Sequence, residues 1–187
     1  MSALFLGLWL SASEIMYLDL NFLPRIFIVD LTFLFGIWIL HYFYIFTYYF
    51  PFQRVEIRWQ EKFIYFLTIL ISVSIFIPSL YARSADLDFP FLFVNINKIG
   101  LSIFVAYFVL LIVLSLKNLL SKYFISDGIH KINLKKVIVG TTLALIVNLF
   151  FSMSIYFFTE FDTNVVGAFF TLGVIIYIYL ILFPRDI

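Results

Sequence analysis

The chain has 187 residues, of which 64% are hydrophobic and 12% charged, and its mean hydropathy is +1.10. This balance lies far from that of a soluble domain and indicates an integral membrane protein. A formal net charge of +1 argues against a nucleic-acid partner, and the absence of cysteine excludes disulfides, thiolate nucleophiles and cysteine-bound metals. No cofactor or metal is implied, because His41 lies in an apolar run and His130 in a polar loop, so the two do not suggest a haem.

The first apolar segment is short. Residues 3–10, ALFLGLWL, cannot span a bilayer, and no Lys or Arg precedes them, so the basic region of a secretory signal is missing. The Ser-Ala-Ser that follows leaves cleavage of residues 1–13 open. We expect residues 1–23 to form an interfacial segment that lies on the helices.

Five later segments are long enough to cross a membrane, which takes about 20 apolar residues at about 1.5 Å per residue. These segments are residues 24–50, 63–82, 99–121, 137–159 and 164–184. The sequence therefore predicts an all-α integral membrane protein, a bundle of five transmembrane helices in a single domain over 1–187. Pro24 suits the first turn of the first helix, and Pro78 is expected to kink the second near its end.

The distribution of Lys and Arg predicts the orientation of the chain. Eight of these residues fall on one side of the predicted bundle, and three fall on the other. The eight are Arg54, Arg58, Lys62, Lys122, Lys131, Lys135, Lys136 and Arg185, and the three are Arg25, Arg83 and Lys98. This pattern predicts an outer N-terminus and an inner C-terminus in a bacterial cytoplasmic membrane or a mitochondrial inner membrane.

Small and polar residues recur on the predicted helices and suggest packing seams. They lie at intervals of four on the fourth helix and within one patch of the fifth, and they are Gly140, Ala144, Asn148, Ser152, Gly167 and Thr171. Small side chains let helix backbones approach closely, and an Asn in mid-membrane needs a partner on another helix. We favour packing as their role, with a polar substrate path as the alternative. The second helix adds Thr68, Ser72 and Ser79 on one face, and the third adds Gly100, Ser102 and Ala106.

Asp30 and His41 are the acid and the histidine inside the first predicted span. Eleven residues separate them, which corresponds to an angular offset of about 20° and a rise of about 16 Å, so both share one inward face. Ionised Asp30 would be costly in lipid, so we consider it a candidate proton or cation site that is completed by Thr32 and by hydroxyls from neighbouring helices. The alternatives are an Asp hydrogen-bonded across an interface or to Arg25, and a purely structural His41.

Three connecting segments have simpler interpretations. Residues 51–63 alternate apolar and charged side chains and are expected in the headgroup region, with partner docking as an alternative. The lysines of segment 126–136 are explained by the preference of basic residues for the inner side of the membrane. The alternative is a specific contact with a lipid or a nucleotide. Residues 85–93 are predicted to form an outer loop that dips aromatic side chains into the interface.

The sequence carries no metalloprotease, P-loop or nucleophile-elbow motif and no pair of intramembrane Asp residues, so it does not favour an enzyme. We expect a non-enzymatic membrane subunit of a larger membrane protein complex, energy-transducing or secretion-related, whose partners are the lipid bilayer and other membrane chains. The alternative is a small oligomeric ion channel or proton-coupled carrier that uses Asp30.

Overall fold

The computed structural model describes residues 25–52, 58–88 and 91–149, together with positions 7, 8, 11, 173, 176 and 177. Its elements are α1 (Arg25–Tyr49), α2 (Arg58–Ile75), β1 (Ala82–Asp88), β2 (Phe91–Ile96), α3 (Lys98–Ile125) and α4 (Gly128–Leu149). The four described helices confirm the predicted helical character, whereas the two strands depart from the all-α class that the sequence predicted. The predicted helix over 164–184 lies outside it, apart from three isolated helical positions.

The chain forms two compact units, Met1–Ser115 and Leu116–Ile187. The boundary falls within α3. The single domain over 1–187 stays a prediction. Helix α1 agrees with expectation, since it occupies Arg25–Tyr49 against a predicted 24–50. Helices α2 and α4 begin earlier than predicted, at Arg58 and Gly128 where the sequence predicted starts at residues 63 and 137.

Helix α2 ends earlier than predicted. It stops at Ile75, whereas the sequence predicted helix as far as residue 82. Pro78 disfavours helical geometry in the residue before it and cannot donate a helical hydrogen bond, and Ser79 follows in a left-handed conformation with φ of 62°. The kink expected at Pro78 is therefore a chain reversal, and Ser79 leaves the helix face that it was predicted to share with Thr68.

A β-hairpin replaces the loop that was predicted over 85–93. Strands β1 and β2 are antiparallel, and Asp88 pairs with Phe91 across a two-residue connection. The aromatic and branched residues of β2, FLFVNI, favour a strand. The alanine and aspartates of β1 do not, so this strand depends on its pairing with β2 and on its contacts with α1.

The first unit has an apolar core between α1, α2 and the first half of α3. Its buried members are Ile37, Tyr44, Ile64, Ile71, Ile75, Tyr81, Tyr107 and Leu111. On α2, the buried positions recur three or four residues apart, so one stripe of the helix faces the core. The opposite stripe is also apolar, and it is exposed at Phe63, Phe66, Leu70 and Val73.

The junction of β2 with α3 is held by Asn97 and Gly100. The Asn97 side chain caps α3, because its Oδ1 accepts the Ile99 N–H at 3.0 Å while its Nδ2 donates to the Ser79 carbonyl at 2.8 Å. A Cβ on Gly100 would overlap the Leu80 carbonyl oxygen and lie 2.9 Å from Tyr81 Cα. Only glycine therefore allows α3 to begin this close to the preceding turn.

In the second unit, α4 also carries two apolar stripes. Its buried positions are Leu134, Val137, Gly140, Thr141 and Ala144. Its exposed large apolar side chains are Ile129, Ile132, Val139, Leu143 and Ile146. This double apolar character is the same as that of α2 and is not the pattern of a soluble surface helix.

Two of the described helices, α1 from Ile26 and α3, are long and apolar enough to cross a membrane. Only 22% of the residues in the most apolar stretch of each are buried. The core helix of a soluble protein of the same composition would be mostly buried. Length, composition and exposure together are thus those of helices suited to a membrane.

Candidate functional site

A buried group of hydrogen-bonded side chains connects three helices of the first unit. His41 comes from α1, Thr68 from α2 and Tyr107 from α3, and each is at most 4% exposed. Thr68 Oγ1 lies 2.8 Å from His41 Nδ1 and 2.5 Å from the Tyr107 hydroxyl oxygen. We call these three residues the polar node.

The direction of each hydrogen bond in the polar node follows from the single proton of the threonine hydroxyl. Thr68 donates that proton to the Ile64 carbonyl, at 2.7 Å. Its oxygen must then accept from both other members of the node, so the Tyr107 hydroxyl donates to it and His41 carries a proton on Nδ1. The Thr68 hydroxyl then donates one hydrogen bond and accepts two. The tautomer of His41 is therefore fixed by the hydrogen bond that Thr68 donates to Ile64.

The polar node lies far from the ends of its helices. His41 is eight residues from the end of α1, Thr68 is seven from the end of α2, and Tyr107 is nine from the start of α3. At about 1.5 Å per residue, these offsets correspond to about 10 to 14 Å.

Aromatic rings surround the imidazole of His41. The ring centroids of Trp38, Tyr65 and Tyr42 lie 5.5, 5.6 and 5.8 Å from that of His41. The Trp38 ring meets the imidazole edge to face, and it also contacts the ring of Tyr65 at 6.2 Å. These rings leave the imidazole with few polar neighbours in the protein. The polar node can therefore form hydrogen bonds or exchange a proton.

Asp30 and Thr32 do not meet His41. Asp30 is partly buried in the second turn of α1, and His41 lies about 16 Å further along the helix axis. The Thr32 hydroxyl donates to the Val29 carbonyl at 2.7 Å, a bond within its own helix. Of the hydroxyls on the second predicted helix, that of Thr68 is bonded to His41. The proposal that Asp30 and Thr32 share a proton or ion site stays a prediction.

The predicted packing seam falls partly within the described residues. Gly140 and Ala144 are buried on one face of α4, at the interval of four that the sequence suggested. The side chain of Asn148 and the positions Ser152, Gly167 and Thr171 lie outside the described residues. Of the small residues expected on the third helix, Gly100 is buried, whereas Ser102 and Ala106 are exposed.

Two further hydroxyls lie buried in the first unit, one and two helical turns away from members of the polar node along their helices. Ser72 follows Thr68 by one helical turn, and Ser115 follows Tyr107 by two. Neither hydroxyl has a hydrogen-bond partner among the described residues. Buried hydroxyls are normally satisfied, so these two are exceptions within the described part of the chain.

Tyr107 is the functional candidate that the sequence did not reveal. It is one of 12 tyrosines, and its spacing carries no signal that separates it from tyrosines at a membrane interface. Thr68 was expected on a polar face, but its partner on α1 was not. Within the described ranges, no group of His, Asp and Glu is arranged to hold a metal ion.

Comparisons of the chain with family models, with curated proteins and with solved structures found no significant match. The interpretation of the polar node and of the apolar surface therefore depends on their geometry.

Proposed function

We propose that the chain is a non-enzymatic integral membrane subunit of a larger membrane protein complex, such as an energy-transducing or a secretion complex. The observation that carries the proposal is the exposed apolar outer face of its helices. On α2 this face includes Phe66 and Val73, whose side chains are 59% and 64% exposed. Charged residues occupy that position on a helix in water, so the outer face requires lipid or another membrane chain.

The closed interior of the first unit supports a docking role. The core between α1, α2 and α3 is apolar, and its polar node satisfies Thr68 within the protein. The large surfaces left to interact are the outer faces. With Lys and Arg concentrated in the segments 51–62 and 122–136, the proposed orientation places these segments on the cytoplasmic or matrix side.

A charge placed on the outer face tests the membrane part of the proposal. Phe66→Lys, at the middle of α2, should lower membrane integration, because a central Lys costs about 2.5 to 3.5 kcal/mol. The matched control is Trp59→Lys, since Trp59 is 68% exposed but lies at the start of α2, where a lysine reaches the headgroups. Resistance to alkaline carbonate extraction measures integration. Equal integration of both variants, or a wild-type chain in the soluble fraction, would contradict the proposal.

A photoreactive phenylalanine analogue at Phe66 or Val73 tests the subunit part. In the native membrane, irradiation should give one cross-linked product of defined mass, and the same partner should copurify stoichiometrically in mild detergent. The analogue at Tyr107, which is buried, is the control and should give no such product. Labelling of lipid alone from both outer positions would refute the subunit role.

The polar node favours a second candidate, a small oligomeric ion channel or proton-coupled carrier. His41 can exchange a proton, and the buried hydroxyls of Ser72 and Ser115 lie on either side of it along the helices, over about 18 Å. Asp30, nearer the hairpin end, would be the acid of this path. The candidate requires that water reach these groups.

Proton flux into liposomes tests the second candidate. The purified chain is reconstituted with a pH-sensitive dye inside, and a potassium diffusion potential drives the flux. Asp30→Asn and His41→Asn should each abolish flux while the variants fold and reconstitute as the wild type does. A wild-type rate equal to that of empty liposomes would eliminate the carrier.

A further inference from the structure

The end of the second unit where α3 meets α4 is strongly basic. We define the basic tip as residues 117–136, which contain the end of α3, the link Ser126–Asp127 and the first turns of α4. Its accessible lysines are Lys117, Lys131, Lys135 and Lys136. Asp127 is the acid of this segment, so four lysines and one aspartate give the accessible surface a charge of +3.

The same tip exposes large apolar side chains. Phe124 is 76% exposed and Ile129 is 69% exposed, more than any other large apolar residue of the described chain. Ile125 and Ile132 are each 56% exposed. A surface that is both cationic and apolar fits the boundary between lipid headgroups and acyl chains, because each kind of side chain finds its preferred surroundings there.

The arrangement of the lysines on α4 matches such a boundary. Lys136 lies on the outward stripe of α4, between Ile132 and Val139, so its ammonium group must extend along the helix to reach headgroups. Lys131 Nζ lies 5.4 Å from the centre of the Tyr123 ring, which holds its charge at the surface by a cation–π contact. The rise from Lys131 to Lys136 is about 7.5 Å, close to the thickness of one headgroup layer.

We propose that the basic tip docks on the phosphate headgroups of acidic phospholipids. Charge complementarity selects an anionic partner, and the exposed Phe124 and Ile129 select a bilayer over a soluble polyanion, because they would remain in water on the latter. The docking rests on the membrane-spanning part of the proposed function and adds a lipid preference to it. Each lysine near an anionic surface should strengthen the association about fivefold at low salt.

Native mass spectrometry of the full chain in detergent tests the docking, with phosphatidylglycerol and phosphatidylcholine as the probe lipids. The wild type should bind phosphatidylglycerol at least about tenfold more tightly, and K131Q/K135Q/K136Q should lose most of this preference. The control is K98Q, which removes an exposed lysine that the predicted orientation places on the opposite side of the membrane, and it should keep the preference. Equal binding of both lipids by the wild type, or a preference retained in the triple variant, would overturn the docking.

Two additional measurements keep the outcome clear. If the triple variant fails to fold, raising NaCl from about 0.05 to 0.5 M should weaken the wild-type preference, and a preference independent of salt would overturn the docking. Displacement of phosphatidylglycerol by inorganic phosphate alone would indicate a free-anion site and would also overturn it. Failure of the membrane proposal is distinct, because the chain would then not float with liposomes of either lipid.

Discussion

Removal of the Thr68 hydroxyl should destabilise the first unit by more than the loss of one hydrogen bond, because two buried donors use this oxygen as their acceptor. In Thr68→Val, the Nδ1–H of His41 and the hydroxyl of Tyr107 both lose their acceptor while they stay buried. A buried donor without a partner costs about 1 to 3 kcal/mol, whereas interhelical hydrogen bonds in membranes average about 0.6 and reach about 1.7. For two donors we expect a loss of about 2 to 4 kcal/mol in the free energy of unfolding.

The matched control for this variant is Thr32→Val. The Thr32 hydroxyl bonds only to a carbonyl of its own helix in the described structure, so its removal should cost less than about 0.5 kcal/mol. Unfolding by a denaturing detergent, followed by tryptophan fluorescence, measures both variants. Trp38 is a local reporter, because its ring lies 5.5 Å from that of His41.

A double-mutant cycle isolates the bond between Thr68 and Tyr107. In a Tyr107→Phe background one of the two donors is already gone, so Thr68→Val should cost about 1 kcal/mol less than it does in the wild type. An equal cost of Thr68→Val in both backgrounds, or a cost no greater than that of Thr32→Val, would refute the bonds assigned to Thr68.

Three other consequences of the structure can be measured. Gly100→Ala should lower the free energy of unfolding by about 1 to 3 kcal/mol, because its Cβ would overlap backbone. Gly36→Ala should be neutral or stabilising, since its Cβ would meet a phenylalanine ring at 3.6 Å. The ranking of the two unfolding midpoints checks this. Asn97→Ala should lose about 1 to 2 kcal/mol and Asn97→Ser clearly less, since the Ser hydroxyl keeps the cap and only the bond to the Ser79 carbonyl is lost. Equal losses of thermal or detergent stability would show that the cap is unimportant. The ¹⁵N spectrum should show His41 protonated on Nδ1, with exposed His130 as the internal reference, and an Nε2-protonated His41 would contradict the hydrogen-bond directions assigned to Thr68.

The helices were the most predictable part of the fold. An apolar run long enough for a membrane favours helix whatever it packs against, because every backbone group must be bonded within the segment. The ends were less predictable, since Pro78 was expected to bend α2 and instead belongs to the turn that follows Ile75. The hairpin was not predicted, because the sequence of β1 has a low strand propensity.

The candidate site was only partly predictable. The sequence singled out His41 and Thr68 as polar residues in apolar segments, and both are members of the polar node. Their pairing could not be inferred, because 27 residues separate them, and the rotation of each helix about its own axis decides which side chains meet. Gly100 shows the same limit, because a close approach is visible only once its neighbour is placed.

The sequence by itself determined how apolar the helices of this protein are and where its cations lie along the chain. Both follow from composition and from the cost of charge in hydrocarbon, which act residue by residue. Tertiary structure alone decided that a threonine on α2 accepts from a histidine on α1 and a tyrosine on α3. The physical reason is that a hydrogen bond depends on distances of a few tenths of an ångström between side chains, and only the packing of the helices fixes those distances.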